Sequence, residues 1–353
     1  MRILVTGGAG FIGGHIVEAA MARGWEVRIL DSLDPAVHPD PPPGIPGVSV
    51  LVGDAGDPDA VAQALAGVDV VMHQSAKVGL GVDFFDAPDY IRNNDLATAV
   101  LLAGMAAAGV DKLVLASSMV VYGEGAYTDS AGRPVHPAPR RVEDLEHGIF
   151  DPRDPPPASC CSRHWSPKTR PWIRGTSMPP PNWPRSTSLP RGALNRKHCD
   201  RPPVPQRLWP SDAQEHPVRG VASVFRSALA RGEAVRVFED GGQRRSFVHV
   251  RDVAEANLLS VDALVGGRVA SGCARAYNIG ASEVHTVGQV AEVLSSVAGA
   301  PAPVVTGEFR LGDVRHITAS SARAWAELGW IPKRGFEDGM REFAIAPLRG
   351  DQA

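Results

Sequence analysis

The first thirteen residues, Met1-Arg-Ile-Leu-Val-Thr-Gly-Gly-Ala-Gly-Phe-Ile-Gly13, constrain this chain more than any other stretch. The apolar run Ile3-Leu4-Val5 predicts a strand buried on both faces, as in a parallel sheet. Gly7, Gly10 and Gly13 follow it at G-x-x-G-x-x-G spacing. Gly7 permits a tight turn, Gly10 lets a pyrophosphate approach bare backbone, and Gly13 lets the next helix pack close. That helix, expected from about Phe11 to Arg23, points the free N–H groups of its first turn at Phe11, Ile12 and Gly13 toward phosphates. Asp31 ends the next strand, Glu26-Val-Arg-Ile-Leu-Asp31, at the distance where a carboxylate receives a ribose 2′-OH. This favours NAD over NADP. The alternative is a strand–helix turn that binds nothing, and the strand–turn–helix context with Asp31 weighs against it.

Further on, strands and helices alternate. Asp34 to Pro46 is proline-rich and reads as a loop. Val48 to Asp54 reads as a third strand, with Asp54 placed to reach an adenine, and Pro58 to Ala66 as a short amphipathic helix. Val68 to Met72 is a fourth buried strand that runs into His73-Gln-Ser-Ala76. A longer helix is expected from Tyr90 to Ala108 with Asn94 in its first turns, then a fifth strand Lys112 to Ala116 leading into Ser117-Ser-Met-Val-Val-Tyr-Gly123. This rhythm predicts an α/β fold, a Rossmann-like doubly wound parallel sheet. Ligands of such sheets sit at the carboxyl ends of the strands, which brings His73, Ser75, Ala76, Asn94, Ser117 and Ser118 toward a cofactor crevice. For His73 a hydrogen-bonded turn residue is an equal reading, and for Ser118 alone a capping or turn serine is the simpler one.

A chain of 353 residues suits one large domain or two closely joined ones. A net charge of −3 gives no reason to expect nucleic acid or a membrane surface as partner. No stretch approaches the roughly 20 apolar residues of a membrane span. Four cysteines without regular spacing suggest neither a disulfide framework nor a zinc site. Met1 opens directly into a strand, so no signal peptide and a cytoplasmic location are expected.

Gly7 to Gly13, Asp31, Asp54, His73-Gln-Ser-Ala76, Asn94 and Ser117-Ser-Met-Val-Val-Tyr-Gly123 together resemble the extended short-chain dehydrogenase/reductases, and within them the NAD-dependent nucleotide-sugar epimerases and dehydratases. The resemblance spans about residues 1–150 and resumes near 220. Ser118, four residues before Tyr122, matches the family's catalytic Ser/Thr. Phe238-Glu-Asp-Gly-Gly-Gln-Arg-Arg-Ser-Phe-Val-His-Val-Arg-Asp252 matches its sugar-nucleotide segment, with Arg245 at the diphosphate-binding arginine and Ser246 in place of the usual Asp. Tyr277-Asn-Ile-Gly280 matches a family turn, and Gly312-Asp-Val-Arg315 looks like the late arginine segment that also reaches the diphosphate. Arg310 to His316 and the Ser117 motif look most like the dTDP-rhamnose 4-epimerase branch, with UDP-glucose 4-epimerases close by. The resemblance implies an NAD-binding part at 1–153 and a substrate-binding part with the remaining Rossmann elements at 220–345. It also implies a dTDP- or UDP-sugar substrate, and a homodimer formed through the family's Tyr-x-x-x-Lys helix, which this sequence lacks.

The family pattern fails between these parts. It requires Tyr-x-x-x-Lys beyond the serine, a spacing that puts both side chains on one helix face so that the lysine charge lowers the phenol pKa. After Tyr127 the next tyrosine is Tyr277. Residues 154–219 hold Cys160, Cys161, Cys199, Trp165, Trp172, Trp183 and Trp209 and are crowded with proline, without apolar period two or 3.6. Pro179-Pro-Pro181 forbids a helix interior. This segment is expected to be irregular, and so long a structureless run inside a compact domain argues against that assignment itself. The codons of Trp172 to Pro184, taken from the third base, can spell Asp-Pro-Arg-Asn-Val-Tyr-Ala-Ala-Thr-Lys-Leu-Ala. Those of Arg201 to Arg219, taken from the second base, can spell the family's next strand and substrate loop. We read the segment as a frameshifted translation, against the alternative of a genuine Pro/Arg-rich disordered insert.

Three functions follow as expectations. The first is an NAD-dependent nucleotide-sugar epimerase or dehydratase, impaired in this sequence by the missing tyrosine and lysine. The second is a non-catalytic or vestigial NAD-binding protein. The third is an NAD-dependent reductase of the same fold. No metal is expected.

Overall fold

The protein is described by a computed structural model over residues 1–346, apart from 36, 39–44, 79–83, 124, 126, 130–131, 154–161, 164–197, 202, 205–206, 209–219 and 271. The proposed out-of-frame stretch Trp172 to Pro184 therefore lies outside the described residues.

The central sheet has seven parallel strands. They are β1 (Arg2–Thr6), β2 (Glu26–Asp31), β3 (Ser49–Val52), β4 (Val70–His73), β5 (Lys112–Leu115), β6 (His198–Arg201) and β7 (Ala274–Ala276), in the order β7-β6-β5-β4-β1-β2-β3. Chain order reverses beside β1, between β4 and β2, which is the switch point where open α/β sheets bind ligands. Side chains alternate across the sheet. Ile3, Val5, Val27, Ile29, Val70 and Met72 face one core, while Leu4, Leu30, Val71 and Leu113 face the other. Burial on both faces is why these strands read as continuous apolar runs.

One face is covered by α1 (Phe11–Ala22) and α5 (Val250–Val265), with α4 (Val221–Ala230), α6 (Val287–Ala298), α7 (Ala322–Leu328) and α8 (Phe336–Ile345) around them. The other is covered by α2 (Pro58–Leu65) and α3 (Ala97–Ala108). Residues 250–265 thus pack on the same layer as α1. The capping box of Thr286 and Gln289 starts α6. The buried Asp252 carboxylate accepts the Lys333 and Arg334 N–H groups at 3.1 Å each, and its carbonyl accepts Trp330 Nε1 at 2.8 Å. These bonds fix the turn after α7 to the start of α5.

Several elements differ from expectation. The helix expected from Tyr90 to Ala108 starts earlier, at Ala87, and is continuous to Ala108, but its hydrogen bonding is π-helical over Ile91–Leu96, between the turn Ala87–Tyr90 and α3. The segment expected to be wholly irregular supplies β6, whose backbone fills the sheet position between β5 and β7. Two-residue strands at Pro203–Val204 and Arg207–Leu208 pair with Ser117–Ser118 and Val248–His249. Sheet pairing, not local sequence, determines these elements.

Candidate functional site

The glycine turn joins β1 to α1 at the switch point. Gly7 has φ +68°, a left-handed conformation that its neighbours enforce, since an added Cβ would lie 2.7 Å from Ser75 N. At Gly13 a Cβ would lie 2.0 Å from the Gly7 carbonyl oxygen, so only glycine lets α1 start this close to the turn. Gly10 is the N-cap of α1 and offers no side chain to the first-turn N–H groups. No acidic side chain occupies that turn either. The positive end of α1 therefore faces outward over bare backbone.

Asp31 stands beside this turn at the end of β2, 8 % exposed. Its Oδ2 accepts the Ala9 N–H and its Oδ1 the Leu33 N–H, both at 3.0 Å. The carboxylate is thus fixed against the glycine turn, and the buried His38 Nε2 lies 3.8 Å from its Oδ1. Asp54, after β3, is exposed and turns its Oδ1 onto the Gly56 N–H at 2.7 Å.

His73 ends β4 and is 3 % exposed. Thr6 Oγ1 lies 2.7 Å from its Nδ1 and Thr98 Oγ1 3.1 Å from its Nε2. Burial pushes the imidazole pKa down to about 4, so the ring is neutral. Ser75 Oγ donates to Thr6 Oγ1 at 3.1 Å, and Ala76 is exposed beside it. Asn94, in the π-helical turn, accepts the Lys77 N–H at 2.8 Å and donates to the Lys77 carbonyl at 3.0 Å. Gly7, Gly10, Phe11, Ile12, Gly13, Asp31, His73, Ser75, Ala76 and Asn94 therefore border one end of the sheet.

Ser117 and Ser118 form a two-residue strand beyond β5, with Ser118 exposed. Tyr122 donates its hydroxyl to Asn278 Oδ1 at 2.6 Å, and burial raises its phenol pKa. A base working near neutral pH needs the opposite shift.

Arg245 and Arg315 are brought together, but by backbone. Arg245 Nη1 donates to the Arg315 carbonyl at 2.9 Å and Nη2 to the Val314 carbonyl at 2.7 Å. Arg315 is 2 % exposed and is held by Asp151 at 2.8 Å, Glu239 at 2.8 Å and Asp240 at 2.7 Å. Glu239 also accepts from Arg140 at 2.7 Å. The His316 ring and the Arg315 guanidinium hold the Asp151 carboxyl well below the usual carboxylate range, against the opposing effect of burial. Sequence reading found both arginines and missed the three carboxylates, which lie far from Arg315 in the chain. It also missed Thr6 and Thr98. A threonine ending a buried strand next to Gly7 must find a partner, which is the one signal that pointed to Thr6.

Among the described residues no group of three His, Cys, Asp or Glu side chains could hold a metal ion, and no helix is long and apolar enough to cross a membrane.

The profile of the NAD dependent epimerase/dehydratase family matches residues 3–148 and 210–280. A dTDP-L-rhamnose 4-epimerase from Burkholderia thailandensis is 28% identical over 356 residues, covering 97% of this chain and 93% of its own. A UDP-glucose 4-epimerase from Azospirillum brasilense is 28% identical, with 98% and 91% covered. Among solved structures, a Thermus thermophilus UDP-glucose 4-epimerase in complex with NAD superposes with TM-score 0.66 at 26% identity, covering 98% of each chain. A Thermotoga maritima UDP-glucose 4-epimerase with UDP-glucose shares the fold, with TM-score 0.69 at 23% identity over 98% of this chain and 97% of that one.

Proposed function

The chain belongs to the NAD dependent epimerase/dehydratase family, and from that premise we propose that it binds NAD and descends from an enzyme acting on a dTDP- or UDP-sugar. The observation that carries this reading is the meeting of three features at one sheet end: the glycine turn, the bare N-terminus of α1, and the fixed Asp31 carboxylate. A Cβ at Gly13 would close the turn against itself, and one at Gly10 would lie 3.1 Å from the Gly7 carbonyl oxygen; a dinucleotide fits this cradle. The Phe11, Ile12 and Gly13 amides would hold its pyrophosphate and Asp31 its ribose, with Asp54 at the adenine end. His73, Ser75, Ala76, Asn94 and Ser117 border the other end.

Bound NAD supplies a reversible hydride acceptor next to the sugar C4. The chain's own share is placement and proton handling. Ser118 is assigned the hydrogen bond to the sugar 4-OH. Arg245 and Arg315 are assigned the substrate diphosphate. For Arg315 this means exchanging one of its carboxylates, and Asp240, at 52% exposure the most open of the three, is the one a diphosphate would displace.

Removal of the 4-OH proton needs a base, and this sequence has none at the required place. Its four tyrosines are Tyr90, Tyr122, Tyr127 and Tyr277, and the residues four places on are Asn94, Ala126, Ala131 and Ala281. The printed chain is therefore proposed to bind NAD with little or no epimerase turnover. The family profile leaves residues 149–209 of this chain unmatched, which supports a frameshifted segment as the cause. The missing tyrosine also favours a second reading, a non-catalytic NAD-binding protein. The experiment is titration of the purified chain with NAD, followed by assay with dTDP- and UDP-sugars. Saturable NAD binding without turnover is expected. Absence of NAD binding overturns the cofactor assignment, and turnover of any such sugar overturns the catalytic defect.

A further inference from the structure

Thr6, His73 and Thr98 form a hydrogen-bond chain that none of the roles above uses, and its direction can be read from one end. Thr98 Oγ1 lies 2.6 Å from the Asn94 carbonyl, which can only accept, so the hydroxyl proton points there. Thr98 Oγ1 therefore accepts from His73 Nε2 at 3.1 Å, and the ring proton sits on Nε2. Nδ1 is left with its lone pair, and Thr6 Oγ1 donates to it at 2.7 Å. With its proton so placed, Thr6 Oγ1 accepts from Ser75 Oγ at 3.1 Å and from the Ser75 N–H at 3.3 Å, which fills its two lone pairs, while the Gln74 N–H donates to the Thr6 carbonyl at 3.1 Å. A single proton order, Ser75 to Thr6 to His73 to Thr98 to the Asn94 carbonyl, satisfies every member. A charged ring would carry protons on both nitrogens and leave the Thr6 hydroxyl without its acceptor, and burial already disfavours that form.

Both ends of the chain reach the segment that lines the glycine turn. The Ser75 backbone is so close to Gly7 that a Cβ there would meet its nitrogen at 2.7 Å. Asn94, one turn before Thr98, clamps the Lys77 backbone through both its amide atoms. It does so from a π-helical turn, a rare conformation that recurs at functional sites. The 74–77 segment is thus held at its start through Ser75 and Thr6 and at its end through Asn94, and His73 with Thr98 joins the two.

We propose that Thr98, acting through His73 and Thr6, is a positioning residue that fixes segment 74–77 against the glycine turn and thereby sets how tightly NAD is held. The inference rests on the NAD reading above. Thr98 itself is assigned no contact with the cofactor.

The test uses the full chain and two variants. Thr98→Val keeps the side-chain shape and removes the hydroxyl, and Thr98→Ser keeps the hydroxyl. NAD affinity is measured by calorimetry, and the His73 tautomer by long-range proton–nitrogen NMR of protein labelled at histidine nitrogen, with the signal assigned through His73→Asn. The expected results are a ring protonated on Nε2 in the parent chain and an NAD affinity about threefold to tenfold weaker in Thr98→Val, the scale of one buried hydrogen bond. The His73 nitrogen signals should shift in that variant, and Thr98→Ser should restore both readouts. A parent ring protonated on Nδ1 overturns the proposal without any variant having to fold. So does a Thr98→Val chain that binds NAD as the parent does, or a Thr98→Ser chain that rescues neither readout. A parent chain that binds no NAD refutes the cofactor reading and this inference with it, while the tautomer result still shows separately whether the hydrogen-bond chain exists.

Discussion

The buried neutral His73 makes stability depend on pH in a way that can be calculated. Its imidazole pKa is lowered from 6.5 to about 4 by burial. Above about pH 6.5 the ring is neutral in both folded and unfolded chains and pH has no leverage through it. Between about pH 6.5 and 4 the unfolded ring takes up a proton that the folded ring refuses, so stability falls as pH falls. With these two values the loss between pH 7 and pH 5 is about 2 kcal/mol. Urea unfolding of the parent chain and of His73→Asn at pH 7, 6 and 5 measures it. Burial also lowers His15, His249 and His316, and Asp151 is held low by His316 and Arg315, but these groups act alike in both chains and cancel in the comparison. The variant should start less stable at pH 7 and lose about 2 kcal/mol less by pH 5. Parallel pH profiles would refute a buried neutral ring at this position, and with it the hydrogen-bond order assigned to Thr6, His73 and Thr98.

Three further outcomes are expected. Gly13→Ala places a methyl 2.0 Å from the Gly7 carbonyl oxygen, against backbone that cannot swing aside; it should cost about 3 kcal/mol in thermal melts and abolish NAD binding in the same titration used for the parent. Arg315→Met leaves the buried Glu239 with Arg140 alone and should cost about 3 kcal/mol in urea unfolding. Adding Glu239→Gln should then cost less than the sum of the single changes by about 1 kcal/mol or more. Tyr122→Phe removes the 2.6 Å bond to Asn278 and should cost about 1 kcal/mol, with NAD affinity unchanged.

The first half of the fold was legible because its elements are specified locally. β1 and β4 carry unbroken apolar runs, β2 carries Val27, Ile29 and Leu30 ahead of Asp31, and α1 starts at Phe11 where the glycine spacing demands a helix. Elements that depend on distant partners were not legible. The π-helical turn at Ile91–Leu96 was not legible, because apolar spacing does not distinguish i→i−5 from i→i−4 hydrogen bonding over so short a stretch. β6 exists as a strand through its pairing with β5 and β7, in a stretch whose own prolines argue against order. α8 was overlooked although Phe336, Met340, Phe343 and Ala344 repeat on one face; Gly339 inside the pattern masks it. At the site, spacing identified Gly7, Gly13 and Asp31 but not what surrounds Arg315. Its carboxylate partners Asp151 and Glu239 come from segments well over sixty residues away, and nothing local pairs them.

The central claim is that a family member carries an out-of-frame segment in place of its catalytic helix. Sequencing of the gene across codons 150–222 tests it most directly. A frameshift predicts added or missing bases near codons 154–159, between about 189 and 200, and near 219–220, with Tyr-Ala-Ala-Thr-Lys restored in the corrected frame. A gene that reproduces the printed sequence base for base contradicts the frameshift. It would leave a chain that binds NAD without the residues to turn over a nucleotide sugar.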